Sequence, residues 1–281
     1  MEEKLTDMSF KTMMVFATEM INLLKVRFPS SSIEDWQGYL VQRLSLMLPI
    51  YRTFSKVLLE DKDYLTSNTI LRMMVDNLAI TKFIYIDHDG EMRLLRHYLF
   101  LLDGSLTYLK ITDSMKSNVL IIEERERCKR EVQHTREQIM KLSIYEIQHL
   151  YIDDLLNKGN WKFKNFSDAG KCSYQDLYKT FGIAPNIVAY FVYLSQFAHG
   201  LGLYSLGTVA SIQNVPFLLE VRDILLGLLT NYIYGLFSEH ICNNDRFLES
   251  VCTKLSRNEL EWFLKLATNN NKYGIIKRYI I

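Results

Sequence analysis

Between Phe181 and Leu219 the chain contains no Asp, Glu, Lys or Arg. A segment this long without charge has to be shielded from water, in a core, an interface or a bilayer, since wetting apolar surface costs roughly 25 cal/mol per Å². The run is long enough to cross a bilayer. However, Asn186, Ser195, Gln196, His199, Ser211, Gln213 and Asn214 lie within it, and Pro185 and Pro216 interrupt it. Those residues favour a protein core over a membrane span.

The rest of the chain can supply that core. With 281 residues, 48% of them hydrophobic, it is long enough for one large domain or two small ones. Only 12 glycines and 4 prolines punctuate it. That is too few for the turns of an all-β fold, and long segments show helical spacing, so the expected class is all-α, a multi-helix bundle. A formal charge of +1 gives no global field toward nucleic acid or membranes. Four scattered cysteines without a C-x-x-C indicate neither a disulfide framework nor a zinc site. The acidic start, Met1-Glu-Glu-Lys-Leu-Thr-Asp, lacks the order of a signal peptide, so a cytoplasmic location is expected.

Stop and start signals set the expected elements. A first helix covers about 7–27 and ends before Phe28-Pro-Ser-Ser-Ser. Ser32 caps a second, which Pro49 either interrupts or kinks. Thr66 or Ser67 opens a third, reaching about Ile86 and closed by Asp87-His-Asp-Gly90; a fourth runs from Glu91 to about Lys110. Residues 114–142 alternate charge densely, as in a projecting helical arm. After a helix over about 144–156, residues 157–172 read as a loop. That loop divides an N-terminal bundle, 1–156, from C-terminal apolar helices, 173–281, the two packing as one domain. Ser173 caps a short helix, Pro185 starts the helix bearing His199, and Gly200 and Gly202 end it. An apolar helix from Phe217 to about Phe237 follows, then short helices near 244–253 and 257–268.

On a helix, Ser195 and His199 are neighbours on one face, with Val188 and Val192 on the same side. The other faces carry Ile187, Phe191, Leu194, Ala198, Tyr190, Tyr193 and Phe197, the pattern of a buried helix. His199 is therefore either a core histidine paired with Ser195, Tyr193 or a carbonyl, or a reactive group kept from bulk water. Arg72 and Asp76 have the same four-residue spacing. At the surface such a pair contributes about 0.3–0.5 kcal/mol, whereas in the interior it requires further hydrogen bonds. Arg93, Arg96 and His97 follow on the fourth helix, and Glu220, Arg222 and Asp223 either approach His199 or mark an exposed edge.

Other constellations are sparser. His149 and Asp153 have a metal-compatible spacing without a third ligand, so no metal and no cofactor are expected. Trp161, Phe163 and Phe166, interleaved with Lys158, Lys162 and Lys164, either form a single-strand nucleic-acid platform or pack inward and leave the lysines solvated. There is no Gly-rich phosphate loop, no H-E-x-x-H and no G-x-S-x-G.

The order Arg72-x-x-x-Asp76, then Arg93 and Arg96, then Tyr193-x-Ser195-x-x-x-His199 resembles a bacterial helical family of unknown function. In that family an Arg-x-x-x-acid helix precedes a Tyr-x-x-Ser-x-x-x-His helix. The resemblance covers roughly residues 40–240, with Asp76 in place of Glu and one residue fewer between Tyr193 and Ser195. That family is similar in turn to the HEPN helical-bundle superfamily. Its members include metal-independent ribonucleases and inactive RNA-binding relatives in toxin–antitoxin and phage-defence systems. The superfamily's motif sets four to six residues between an arginine and the histidine that follows it, and His199 has no arginine in that window. Arg127 and His134 have the spacing, but Cys128 stands where a polar residue belongs.

The resemblance implies that Arg72, Asp76, Arg96, Ser195 and His199 gather into one pocket for RNA or a nucleotide. There His199 would move a proton, Ser195 would orient it, Asp76 would hold Arg72, and the arginines would face phosphate. The alternative is a scaffold, a homo-oligomer such as a dimer or a complex with a partner. In it residues 181–238 pack against the second chain and the buried polar residues fix helix register.

Overall fold

The computed structural model describes residues 2–30, 32–115, 119–195, 197, 215–242 and 244–260. Among these the chain is helical apart from one short hairpin, as the all-α reading expects. It forms two compact units, each discontinuous in sequence. The first comprises Met1–Pro29, Leu40–Ala79 and Phe181–Ile281; the second comprises Ser30–Tyr39 and Ile80–Thr180. Residues 157–172, expected to divide the chain, lie wholly within the second.

Helix α1 spans Glu2–Arg27 and α2 spans Trp36–Leu59. Pro49 does not end α2: Met47, Leu48, Tyr51 and Phe54 are buried on both sides of it and hold the helix across the missing N–H. At its start the Asp35 carboxylate accepts the Gly38 N–H at 3.0 Å. A Cβ on Gly38 would fall 2.0 Å from the Ser30 carbonyl oxygen, so only glycine fits. Helix α3, Tyr64–Thr81, starts earlier than expected because Asp63 caps it, accepting from the Thr66 N–H at 2.9 Å and its hydroxyl at 2.6 Å. It passes into a π-helical turn, Lys82–Ile86.

Helices α4 (Gly90–Ile111), α5 (Val119–Met140) and α6 (Ser143–Lys158) pack together in the second unit around Leu95, Leu99, Leu102, Ile139, Ile152 and Leu155. The charge-dense segment is α5: Cys128, Thr135 and Ile139 are buried, while Glu123, Glu126, Arg127 and Lys129 lie in water. Side chains close the helix ends. The Glu91 carboxylate accepts from the Ser143 and Ile144 N–H groups at 2.9 and 2.8 Å, which caps α6 and holds its own pKa below the usual range. Arg125 donates to the Leu109 carbonyl at 2.6 Å, satisfying the end of α4.

Residues 157–172 are not a plain loop. Gly159, at φ +59°, ends α6, and an antiparallel hairpin follows, β1 (Phe163–Asn165) and β2 (Asp168–Lys171), with Phe163 opposite Lys171. Trp161 and Phe163 alternate with Lys162 and Lys164, the two-residue period of a strand with one buried face. Helix α7, Tyr174–Lys179, carries the expected Ser173 cap as a full capping box with Asp176.

In the first unit α8 (Pro185–Tyr193) begins at Pro185 as expected, followed by α9 (Val215–Cys242) and α10 (Asp245–Lys254). Helix α1 packs on α9 and α10, with Phe16, Met20, Leu24, Leu225, Leu229 and Ile233 buried. The Glu19 carboxylate ties α1 to α10, accepting from Ser250 Oγ and Lys254 Nζ, each at 2.6 Å. The expected stop at Gly200 and Gly202, and the last helix beyond 260, lie outside the described residues. Among the described residues no helix is long and apolar enough to cross a membrane.

Candidate functional site

Asn68, Arg72 and Asp76 recur every fourth residue and form a polar stripe along α3. Arg72 donates through Nε to Asp76 Oδ2 at 2.9 Å and through Nη1 to the Phe191 carbonyl at 2.9 Å. One turn away, the Tyr190 hydroxyl donates to Asn68 Oδ1. The Arg72 side chain is 12% exposed and that of Asp76 27%, so the pair is mostly interior and has the extra hydrogen bond that burial requires. Phe191 lies in the last turn of α8, where carbonyls carry the negative end of the helix dipole and lack intrahelical donors. A guanidinium there satisfies both the charge and the hydrogen bond.

Ser195 follows directly, and its hydroxyl donates to the Val192 carbonyl at 2.8 Å. The first unit thus brings together Arg72, Asp76 and the end of α8 leading to Ser195. His199 lies outside the described residues. Arg43, which no sequence pattern singles out, donates from α2 to Asn77 Oδ1 at 2.7 Å, beside Asp76 in sequence. Its signal, a lone arginine between the buried Val41 and Leu44, does not distinguish it.

Arg96 belongs to the second unit. Its guanidinium donates to the carbonyls of Trp161, Phe163 and Lys164 at 3.0, 2.9 and 3.3 Å. The rings of Phe83 and Phe163 cover it, with centroids 4.2 and 4.0 Å from its central carbon. Burial pushes its pKa down to about 10, which still leaves it charged at neutral pH. On the next position, His97 Nε2 faces the Ile33 carbonyl at 3.0 Å and Nδ1 faces the Tyr85 hydroxyl at 2.7 Å. A carbonyl only accepts, so Nε2 carries the proton and Nδ1 accepts from Tyr85. Burial pushes the His97 pKa down to about 4, and the ring is neutral. Arg93 stacks over Trp36 and donates to the His88 carbonyl at 3.0 Å. Burial, then the charge of Arg96, lowers the His88 pKa.

The remaining candidates separate. Arg222 is buried, not an exposed edge: it donates to Asp223 at 2.8 Å and to Ser55 Oγ at 2.9 Å, and lies over the Phe10 ring. Glu220 is exposed. Asp153 accepts from the Tyr145 hydroxyl at 2.9 Å, and among the described residues no three His, Cys, Asp or Glu side chains are placed to hold a metal. Trp161 and Phe163 are buried, Lys158 pairs with Asp154 and Lys162 lies over Tyr174, so the basic-aromatic segment packs inward. Arg127 pairs with Glu124, and His134 with Glu34.

In comparisons with known proteins, no family model, no curated protein and no solved structure matches this chain.

Proposed function

We propose that this protein is a non-catalytic helical interaction module whose buried polar side chains fix the register of its helices. One observation carries the reading: Arg72 and Arg96 both direct donors to main-chain carbonyls, as structural arginines do. On α6, Ile147 and Leu150, on either side of the break in helical geometry at Gln148, expose 76% and 79% of their surface, apolar side chains for a second copy or another protein to cover. Light scattering of the purified chain over a concentration series tests self-association. A partner-bound or self-associated species that Ile147→Asp abolishes supports the reading.

A second reading is an HEPN-like RNA-binding or metal-independent RNA-cleaving component of a defence or toxin system. The bond from Arg72 to Phe191 favours it, because the Arg-x-x-x-Asp pair then lies beside the helix end that leads toward Ser195 and His199. In that reading His199 moves a proton and Arg72 stabilises charge on the transferring phosphate. Incubation of total RNA and defined tRNAs with the protein in EDTA separates the two readings.

A further inference from the structure

We draw no further inference here: the strongest candidate, the apolar surface of the first unit where Leu46 of α2 and Leu65 and Met73 of α3 stand exposed, carries nothing because nothing in the structure shows what covers it.

Discussion

Arg72 bonds to the carbonyl of Phe191, 119 positions further along the chain, and the same guanidinium holds Asp76 one turn away on its own helix. One side chain thereby sets the end of α8 against α3. The contact explains why a charge belongs in an otherwise apolar setting, and it makes the position sensitive to substitution for structural reasons.

Arg72→Met should therefore destabilise the protein by about 2–4 kcal/mol, because it leaves a carboxylate and a helix-terminal carbonyl poorly paired in a mostly buried site. Urea unfolding measures this. A double-mutant cycle with Asp76→Asn should show coupling between the two positions of roughly 0.5–3 kcal/mol.

Stability should fall in mild acid through His97. Its folded pKa, about 4, lies below the ordinary 6.5, so between those values the unfolded chain binds the extra proton. Its contribution is fully present above pH 6.5 and is lost as pH drops to about 4, on the order of 3 kcal/mol at 1.36 kcal/mol per unit. Unfolding of the wild type and His97→Gln from pH 7.5 to 4 checks the sign. The variant should be less stable at neutral pH and have a flatter profile.

Gly38→Ala should cost roughly 1–3 kcal/mol, since the new methyl meets the Ser30 carbonyl and the 30–35 backbone has to move. Thermal unfolding of this single variant is sufficient. By contrast, Ile147→Asp and Leu150→Asp should change stability by less than about 0.5 kcal/mol, because both side chains already stand in water.

Much of the fold is legible in local chemistry. Ser173 and Pro185 start their helices where cap and N1 preferences put them, and α1 ends at Arg27 ahead of Phe28-Pro29. Asp63, rather than Thr66, opens α3, because an aspartate three residues before a threonine can take both its N–H and its hydroxyl. The hairpin is hidden in the sequence because its alternation spans only Trp161 to Lys164, too short to stand out against Asn and Gly neighbours. The site is less legible than the fold. Arg72 and Asp76 can be paired from their spacing, but Phe191, Trp161 and Phe163 receive arginines through carbonyls that every residue possesses. No side-chain pattern announces such an acceptor. Hence Arg96, expected beside Arg72, lies in the other unit, and Arg222, which sequence leaves open as an exposed edge, is buried.

The most direct measurement is incubation of total RNA and defined tRNAs in EDTA with wild type, Arg72→Ala and His199→Ala, the fold of each checked by circular dichroism. Intact RNA in every lane, with Arg72→Ala measurably less stable than wild type, is the outcome expected of structural arginines in a non-catalytic module. Cleavage by wild type, lost in both variants while they remain folded, would show instead that Arg72 and His199 perform chemistry.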